Sequence, residues 1–598
     1  MKLQENKSSV NKISVNKIIW QQRPINEYEA LQIAQHTGIS DLLARMLRWR
    51  IDCIDQALNF ISPKLKNFLP DPFHLLDMQK AVDRTRQAIL NSQKICIFAD
   101  YDVDGATSSS LLKNFFKDLG QVVDIYVPDR IAEGYGPTIS AMQKIKDNGT
   151  ILLITVDCGA MAHEALKYAK QVGLDVIVID HHMSHDILPE AVAVVNPNRL
   201  DETSPYTYLA AVGVSFLFAI ALLSELKKYN FFGNIDGLNL SPPNLMQYLD
   251  LVALGTVCDV MQLINLNRAF VAQGLKVMQQ RTNLGITTIC DIAGLHEKPN
   301  CYHLGFVIGP RINAGGRVGK SSLGAHLLST SCTIEANKLA LELEKHNNER
   351  KVLELIMLEE ASNIAVTQEH DSSLFIVGAG WHPGVIGIIA GRLKEKFNKP
   401  VAIIALNDGI GKASCRSIKN IDFGSKIINA KTKELIVSGG GHAMAAGFTV
   451  LEEKLGELQE FLNNEFRRDL ANNLTLNHQE YDLELTTASV NLQLMEELDK
   501  LAPFGPGNPE PLFKFDDLFV LKADIIGDKH IKCLLAPSKE AFGSTALSAI
   551  AFNSTTTPIE NILLAPKPYN ISVIGSLKMN YWKERYTIQL QIKDVIIM

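Results

Sequence analysis

The sequence has few cysteines, and none of them form the short pairs that hold structural zinc or redox disulfides. Nine cysteines are scattered over 598 residues, and no CxxC spacing occurs among them. Disulfide frameworks and zinc sites use even, closely spaced sets of cysteines. The pattern therefore argues against both and predicts a protein of the reducing cytoplasm.

The sequence also lacks the long apolar segment of a membrane protein. Its start, MKLQENKSSVNKISVNKIIW, contains no apolar core of the kind found in secretory signals. The longest apolar run lies between Tyr208 and Leu223, and it is shorter than the ~20 residues that span a bilayer. We interpret this run as a buried helix and expect no membrane partner.

An excess of positive charge is missing as well. The net charge is −6, while 46% of the residues are hydrophobic and 21% are charged, which is an ordinary globular composition. Overall charge gives no sign of a nucleic-acid partner, and such a partner would need locally basic surfaces. At roughly 100–200 residues per domain, the length predicts three or four domains.

Two stretches alternate short apolar runs with helical patterns. The first covers residues 90–200, and its runs KICIFAD, VVDIYVP, TILLITVD and DVIVID are typical of buried parallel strands joined by helices. The second covers residues 372–406 and follows a charged helix predicted at 335–366. Beyond residue 465, the Pro- and Gly-rich LAPFGPGNPEPLF precedes short alternating segments, which predict a small barrel or sandwich with a hairpin tip near MNYWKERY.

The expected fold class is α/β. It combines a parallel-sheet domain, a second α/β lobe joined to it by the long helix, and a C-terminal all-β barrel. The predicted domains are an N-terminal extension (1–75), the parallel-sheet domain (76–285), a connecting basic segment with the long helix (286–365), the second lobe (366–464) and the barrel (465–598).

Acidic residues follow three of the predicted strands, in the segments CIFAD-YDVDG, LLITVD-CG and VIVID-HH. The carboxyl ends of parallel strands share one edge of a sheet, and ligands bind in the crevice there. Side chains that are far apart in sequence are therefore expected to meet at this edge. They are Asp100, Asp102, Asp104, Asp157, Asp180, His181 and His182.

Such a cluster predicts a cation, because neighbouring carboxylates repel one another unless they are protonated or metallated. Carboxylate oxygens with one or two imidazoles suit Mn²⁺ or Mg²⁺, whereas zinc more often takes thiolates or additional histidines. Each motif alone also has an ordinary interpretation: a helix cap or solvated turn for DYDVDG, a structural strand end for VDCG, and a surface or core pair for the histidines. Their combination favours the metal site.

In their order, DYDVDG, VDCG, DHH and ALGTVCDVMQL resemble the four motifs of the DHH phosphoesterase superfamily, and the chain resembles its bacterial exonucleases specific for single-stranded DNA over nearly its full length. The resemblance implies two Mn²⁺ or Mg²⁺ ions and a catalytic role for His182, either as a ligand or as a transition-state contact. Pyrophosphatases of the superfamily carry a histidine where this chain has Phe98, which argues against that activity. The implied metal ligands are Asp102, Asp104, Asp157, His181 and Asp259. Of these, Asp157 is expected to bridge the two ions and to be catalytic. Asp100 is either a further ligand or, like Asp180, a residue that orients the ligands beside it.

Three further segments suggest phosphate binding. GAGWHPGVIGIIAGRL places glycines and His382 at the start of a helix, an arrangement that binds anions, and SGGGHAMAAGF places three glycines before His442. GPRINAGGRVGK carries Arg311, Arg317 and Lys320 without an acid, which suits a phosphate chain. Each segment also has an ordinary alternative. The alternative is a tight turn for the segment of His382, a flexible loop for the segment of His442 and a basic surface loop for GPRINAGGRVGK.

The resemblance extends to these segments. The first two are similar to a DHHA1 domain, the third to a RINAxGR segment that adds Asn313, and GKASCRSIK supplies Ser414 and Arg416 for a terminal 5′-phosphate. Arg130 is a further candidate phosphate contact, although alone it suits a surface salt bridge. The C-terminal region resembles an OB-fold, in which a basic groove and stacking aromatics hold single strands. Its candidate contacts are Tyr581, Trp582, Lys583, Arg585 and Tyr586.

The expected function is metal-dependent hydrolysis of single-stranded DNA from the 5′ end, releasing mononucleotides in DNA repair and recombination. The resemblance implies a helicase and a single-strand-binding protein as partners. Two alternatives stay open. One is a phosphodiesterase for very short oligonucleotides or cyclic dinucleotides, which needs no barrel, and the other is a scaffold, which would have lost its acids.

Overall fold

The structure is a computed structural model that describes residues 13–130, 133–235, 238–472, 477–538, 546–566, 569–582 and 585–598. The chain divides into two compact units. One is drawn from Met1–Leu69, Gln262–Gln273 and Thr475–Met598, and the other from Pro70–Met261 and Gly274–Leu474.

The elements are numbered in chain order. The strands are β1 (Ile18–Gln22), β2 (Ile95–Ala99), β3 (Val123–Tyr126), β4 (Leu152–Val156), β5 (Asp175–Ile179), β6 (Ala193–Val195), β7 (Gly233–Ile235), β8 (Leu238–Leu240), β9 (Leu374–Ala379), β10 (Val401–Asn407), β11 (Ile410–Arg416), β12 (Ser438–His442), β13 (Ala445–Leu451), β14 (Asn477–Tyr481), β15 (Leu483–Glu484), β16 (Phe513–Ile526), β17 (His530–Ala536), β18 (Leu547–Ala551), β19 (Asn570–Trp582) and β20 (Arg585–Ile597). The helices are α1 (Glu27–Thr37), α2 (Asp41–Arg48), α3 (Ala57–Ile61), α4 (Met78–Leu90), α5 (Val103–Asp118), α6 (Ile139–Asp147), α7 (His163–Gln171), α8 (Ala211–Lys228), α9 (Leu249–Cys258), α10 (Asn265–Gln279), α11 (Leu284–Ile292), α12 (Gly309–Val318), α13 (Leu323–Ser329), α14 (Thr333–Thr367), α15 (Ile386–Phe397), α16 (Phe423–Thr432), α17 (Leu455–Asn472), α18 (Leu492–Asp499) and α19 (Pro558–Leu563).

A five-stranded parallel sheet of order β3-β2-β4-β5-β6 organises residues 95–195. Every residue of β2 and β4 is buried, because helices pack on both faces, and this is why the strands read as unbroken apolar runs. The helices α5, α6 and α7 connect successive strands, which confirms the predicted alternation. Phe98 is fully buried and stacks on Tyr126, with ring centroids 5.4 Å apart.

Two mainly buried helices, α8 and α9, pack against α5. The α8 helix contains most of the long apolar run, so the predicted buried helix is confirmed. Within the described ranges, no helix is both long and apolar enough to cross a membrane.

The second sheet has the order β12-β13-β11-β10-β9, in which β9 and β10 are parallel and the other neighbours antiparallel. One of its faces packs on α15 and the other on α16 and α17. The 35-residue helix α14 packs on α11, α12 and α13, and its later residues Met357, Ala361 and Ala365 enter the core formed with β9 and α15. The predicted long helix that joins two α/β parts is confirmed.

The other unit contains a closed barrel. Its strands follow the order β15-β16-β17-β18-β20-β19, and a further pairing between β16 and β19 closes the sheet. Residues of α1, α2, α3, α18 and α19 share the barrel's hydrophobic core, so the N-terminal residues pack with the barrel. The domain boundaries stay predictions, and α17 runs through the one placed at residue 464.

The predicted hairpin near MNYWKERY is confirmed for its two strands, since β19 and β20 pair as far as Trp582 and Arg585. The side chains of Tyr581, Trp582 and Arg585, like Lys583 as a whole, lie outside the part that the structure describes. Their predicted contact with a single strand therefore stays a prediction. Tyr586 is exposed.

Candidate metal centre and phosphate cavity

Three acids lie side by side at the carboxyl edge of the parallel sheet. The last residues of β2, β4 and β5 pair with one another, so the residues that follow, Asp100, Asp157 and Asp180, are neighbours across the edge. The backbone ladder continues through them, because the N–H of Asp157 donates to the carbonyl of Ile179 at 3.1 Å. All three are buried. Asp157 has φ of +60°, a left-handed conformation that aspartate tolerates better than most residues.

The motif DYDVDG forms the turn from β2 into α5. Asp102 is the N-cap of α5, and its Oδ1 accepts hydrogen bonds from the backbone N–H of Asp104 at 2.9 Å and of Gly105 at 3.1 Å. A Cβ at Gly105 would lie 2.3 Å from the carbonyl oxygen of Asp100, so glycine is required here. The helix-cap interpretation of Asp102 is therefore correct, but it uses only one of the two carboxylate oxygens.

Asp104 is held at the N-terminus of a second helix. Its two oxygens accept backbone N–H groups of Ala211 at 2.7 Å and Val212 at 3.0 Å, at the start of α8. The positive end of the helix dipole favours a carboxylate at this point. Gly255 of α9 lies so close that a Cβ there would be 2.9 Å from Asp104 Oδ1. The Asp104 carboxylate is thus held in place by its own helix α5 and by contacts with α8 and α9.

His181 lies at the centre of the acids. Its Nε2 is 3.2 Å from Asp157 Oδ1, 3.5 Å from Asp259 Oδ2 and 3.8 Å from Asp104 Oδ2. Asp259 reaches this position as the C-cap of α9, directly after the last helical residue Cys258. Burial is the main reason that the pKa of His181 is lowered to about 4, so its ring is neutral at pH 7 and can act as a ligand.

Asp180 orients the histidine pair rather than facing the cluster with a free oxygen. Its Oδ1 accepts from the backbone N–H of His181 (2.7 Å) and from His182 Nδ1 (2.8 Å), and its Oδ2 accepts from the N–H of Ala160 (2.9 Å). Burial opposes the charge of His182, but the hydrogen bond and charge of Asp180 outweigh it and raise the pKa of His182 to about 9. His182 is therefore a cation at neutral pH.

Burial and mutual repulsion disfavour ionisation of the acids. Burial, followed by the charge of Asp102, raises the pKa of Asp104 to about 7, and burial with the charge of Asp104 raises that of Asp259 to about 8. For the same reasons the pKa values of Asp100 and Asp157 are raised well above the ordinary value. A nearby cation would relieve this repulsion.

The side chains fit divalent cations. Asp100 Oδ1 and His181 Nε2 are buried and have no hydrogen-bond partner in the described part of the chain. Possible ligand atoms fall into three groups, each within 4.8 Å, and Asp157 and His181 both belong to two of them. Carboxylate oxygens with a neutral imidazole match the preferences of Mn²⁺ and Mg²⁺. The groups are Asp157 with His181 and His182, Asp104 with His181 and Asp259, and Asp100 with Asp102 and Asp157.

A cationic cavity of 280 Å³ lies in the same unit. Its charged lining consists of Arg130, Arg317, Lys412 and Arg416, and no acid contributes to it. Ser414 and Arg416 project from alternate positions of β11, and a Cβ added at Gly387 would lie 3.0 Å from Ser414 Oγ, so the start of α15 abuts this pair. The cavity has the composition of an anion site.

The cavity and the acids meet at Tyr101, which separates Asp100 from Asp102. The guanidinium of Arg130 lies over the Tyr101 ring, 5.0 Å from its centroid. On the other side, a Cβ at Gly316 of α12 would be 2.8 Å from the Tyr101 carbonyl oxygen. Cationic and acidic sites are therefore adjacent.

Comparison with known proteins agrees with this arrangement. The chain matches the family models "DHH family, N-terminal domain" over residues 94–256, "DHHA1 domain" over 365–468 and "RecJ OB domain" over 481–594. It is 33% identical over 590 residues to the single-stranded-DNA-specific exonuclease RecJ of Salmonella typhimurium, covering 96% of this chain and 99% of that one. This chain belongs to the RecJ family. Among solved structures it is similar to Thermus thermophilus RecJ in complex with Mn²⁺, with a TM-score of 0.79 at 26% identity, covering 97% of this chain and 80% of that one.

The same Thermus thermophilus RecJ in complex with Mg²⁺ shares the fold, with a TM-score of 0.74 at 24% identity and coverage of 97% and 79%. The predicted fold class is confirmed, and this member of the RecJ family has side chains that could hold the predicted Mn²⁺ or Mg²⁺.

The structure brings some of the predicted phosphate contacts into the cavity and leaves others outside it. Arg130, Arg317, Ser414 and Arg416 line it, and His382 lies beside it, where its Nδ1 accepts the N–H of Gly384 at 3.1 Å.

Arg311 points elsewhere. Its guanidinium pairs with Glu344 of α14, with Nε and Oε2 2.6 Å apart, and it donates to the carbonyl of Val307. Asn313 is half-buried one turn before Arg317 on α12, and His442 is exposed at the end of β12. Neither lines the cavity, so their roles in this RecJ-family chain stay predictions.

Sequence reasoning missed several residues that support the site. Tyr135 Oη lies 3.4 Å from the carbonyl oxygen of Asp157 and 3.5 Å from His182 Nδ1. Asn196 and Asn198 donate to the carbonyls of His182 and His181. The NPN triplet just after β6, the next strand along the edge, was the available signal. No sequence signal pointed to Lys412, because it lies before the S-x-R pair in an ordinary strand pattern.

Proposed function

We propose that this RecJ-family chain is a metal-dependent exonuclease that hydrolyses single-stranded DNA from its 5′ end and releases mononucleotides in DNA repair and recombination. The observation that carries the proposal is that the acidic edge and the cationic cavity adjoin at Tyr101, which lies between Asp100 and Asp102 in the chain and against Arg130. One site suits cations that act on a phosphodiester, and the other suits the phosphate at the strand's end.

The acidic edge would carry out hydrolysis. When bound, two divalent ions activate water and neutralise charge on the phosphoryl group. The residues proposed to hold them are Asp100, Asp102, Asp104, Asp157, His181 and Asp259, with Asp157 shared between both positions. This sharing is supported by the membership of Asp157 in two of the three ligand groups.

His182 is proposed to contact the scissile phosphate. Its Nδ1 is engaged with Asp180, its ring is 42% exposed, and its raised pKa keeps it protonated at neutral pH. The free Nε2–H can therefore donate to a phosphoryl oxygen or to the leaving 3′-oxygen, where negative charge develops. Asp180 acts on the reaction by holding this ring in position.

The cavity would set polarity and register. A terminal 5′-phosphate held by Ser414, Arg416 and Arg317 places the first internucleotide bond toward the acids beyond Tyr101. A phosphomonoester carries about −1.5 to −2 charges at pH 7, so the cations favour it over a 5′-hydroxyl. Binding at the terminal group yields one nucleotide per cleavage.

Single-strand binding near the acids has support from a pair of exposed aromatic rings. Tyr302 and Phe306 stack with centroids 5.2 Å apart, and they are 63% and 72% exposed. Tyr302 directly precedes the π-helical turn His303–Ile308 and Phe306 lies within it. The Leu304 carbonyl of this turn accepts a hydrogen bond from Sγ of Cys258, the residue before Asp259. Unstacked bases can lie on such rings, whereas paired bases cannot.

We also propose a cytoplasmic location, with a helicase and a single-strand-binding protein as partners. The cysteines are scattered and form no CxxC pair, which supports a reducing compartment. An enzyme restricted to single strands needs another protein to separate duplexes, and this requirement supports the helicase.

The function is tested by replacing Asp157 with Ala and measuring the hydrolysis of labelled single-stranded DNA in the presence of Mn²⁺. With wild type, a label at the 5′ end is expected to be released as a mononucleotide before a label at the 3′ end. The rate of this release is expected to be higher for a strand with a 5′-phosphate than for one with a 5′-hydroxyl. The variant is expected to lose at least about 100-fold in rate, since it removes the shared ligand. The exposed Asp186→Ala is the control. Full activity of folded Asp157→Ala would contradict the metal site, and initial release from the 3′ end would contradict the polarity.

A further inference from the structure

The cationic cavity carries more positive charge than a terminal monophosphate neutralises. Four cations line it, whereas a phosphomonoester brings about −1.5 to −2 charges. Within the described residues, none of the four forms an ion pair with a carboxylate of this protein. Among the residues that the structure describes, the Arg317 side chain donates to the Gly384 carbonyl. The Arg416 side chain donates to Ser414 Oγ and to the Cys415 carbonyl.

The cations of the lining also repel one another. Burial is the main cause that lowers the pKa of Arg317 to about 10, and the charge of Arg130 in the lining lowers it further. The cavity volume of 280 Å³ also lies near the lower end of ligand pockets, about 300–1,000 Å³, and exceeds what one phosphate group fills. Both charge and volume leave room for a larger anion.

Lys412 is placed to contact that larger anion. It lies on the same face of β11 as Ser414 and Arg416, because residues at i, i+2 and i+4 of a strand share a face. The spacing between such positions is about 7 Å, so Lys412 extends the row by one step beyond Ser414. Its flexible point charge suits a phosphate chain of variable length.

We propose that the cavity accepts a polyphosphorylated 5′ end of a nucleic-acid strand, and that Lys412 determines this specificity by contacting the phosphates beyond the first. This inference rests on the proposed function. Chains that are started from a nucleoside triphosphate carry such an end.

The reaction would stay the same. Water adds to the phosphorus of the first internucleotide diester, the bond from that phosphorus to the 3′-oxygen breaks, and the 3′-oxygen takes the proton. The product is a mononucleotide that keeps its 5′-polyphosphate. No phosphoanhydride bond is broken, and no co-reactant besides water is needed.

The experiment compares three single strands of one sequence with a 5′-hydroxyl, a 5′-monophosphate or a 5′-triphosphate. The full chain with Mn²⁺ is expected to cleave the triphosphorylated strand with kcat/KM within about tenfold of the monophosphorylated one. Its first product should be the triphosphorylated mononucleotide. Lys412→Ala should lower the ratio of triphosphate to monophosphate kcat/KM at least about tenfold. Lys431→Ala, which removes an exposed lysine from α16 of the same lobe, should leave that ratio unchanged.

Binding is measured separately in chelator, where no strand is cleaved. Wild type should bind the triphosphorylated strand more tightly than the monophosphorylated one, and Lys412→Ala should abolish this difference. The inference is overturned if a 5′-triphosphate blocks cleavage and binding by wild type, or if Lys412→Ala weakens all three strands equally, which would make Lys412 a general backbone contact. Absence of cleavage of the monophosphorylated strand would contradict the proposed function instead, and the binding comparison would still decide the inference.

Discussion

At the scale of single residues, the site is defined by which carboxylate oxygens are already occupied. Asp180 uses both of its oxygens on N–H donors of Ala160, His181 and His182, whereas Asp100 keeps Oδ1 buried without a partner in the described structure. Two acids that look equivalent at strand ends therefore differ in role. Asp180 fixes a histidine, and Asp100 is available to a cation.

Replacing Asp180 with Asn is expected to lower activity about 10- to 100-fold while the protein stays folded, as is typical when a residue that orients ligands is lost. Asparagine carries no charge and has a single accepting oxygen, so it can keep the hydrogen bond to His182 Nδ1 but then loses the one from the Ala160 N–H. The pKa of His182 should therefore fall below its value of about 9. Titration of His182 by NMR measures this change, with Asp186→Asn as the control. An unchanged His182 titration would contradict the role of Asp180.

A second buried acid affects stability rather than chemistry. Burial raises the pKa of Asp250 in α9 from 3.8 to about 7. For a carboxyl with a raised pKa, the folded state loses stability as pH rises from 3.8 towards 7, because the unfolded chain ionises first. Asp250→Asn should therefore stabilise the protein more at pH 8 than at pH 5.5, by about 2 kcal/mol at 1.36 kcal/mol per unit.

Thermal unfolding at the two pH values measures this difference. The exposed Glu164→Gln controls for the general removal of a negative charge. The prediction is wrong if the gain in Tm from Asp250→Asn is equal at both pH values or larger at pH 5.5.

Which residues sequence could reveal depends on how local their role is. Asp100, Asp157 and Asp180 are predictable because each follows an apolar strand and parallel strands end at one edge. Tyr135 is not, since its contacts with Asp157 and His182 depend on how a loop returns to that edge. The left-handed φ of Asp157 likewise follows from the surrounding structure rather than from residue type.

At the scale of elements, α12 shows how glycine misleads sequence reasoning. GPRINAGGRVGK reads as a basic segment or loop, because glycine and proline weaken helices. In the structure Pro310 lies in the first turn, where its missing N–H costs nothing, and Gly316 allows α12 to approach the Tyr101 carbonyl. The loop alternative is wrong for this segment, and the glycines serve helix packing.

Gly316→Ala is expected to reduce kcat/KM about 10- to 100-fold, because its Cβ would lie 2.8 Å from the Tyr101 carbonyl oxygen and must displace the acidic turn or Arg317. The matched control is Gly391→Ala in α15, where an added Cβ meets nothing within 4 Å. The control should keep its activity and gain up to about 1 kcal/mol in the free energy of unfolding. Equal activity of both variants would contradict this account of α12.

At the scale of the whole molecule, a chain of net charge −6 binds a polyanion, so attraction must come from a small part of its surface. The cavity with its four cations is the clearest such region in the described chain. The order of the domains was readable from sequence, since each has its own periodicity. The packing of the N-terminal helices into the barrel core was not, because it joins segments that are more than 400 residues apart.

Affinity for single-stranded DNA is expected to fall steeply with salt despite the overall negative charge. In a plot of log affinity against log salt concentration the slope is negative, and Arg317→Gln should make it shallower by about 0.7. This is the value for one phosphate contact on a single strand. Fluorescence anisotropy in chelator measures the slope, and Lys431→Ala should leave it unchanged. Weaker binding by Arg317→Gln with the same slope would contradict a direct phosphate contact.

The arrangement of the parallel sheet has a practical consequence. All candidate ligands from β2, β4 and β5 follow the carboxyl ends of the strands, so the turns that lead into β4 and β5 lie at the opposite edge. These turns contain Gly149 and Gly173, both exposed and both with positive φ. Exposed turns tolerate inserted residues. A fluorophore or surface tether introduced there would let single molecules be followed during digestion without an alteration of the edge that holds the ions.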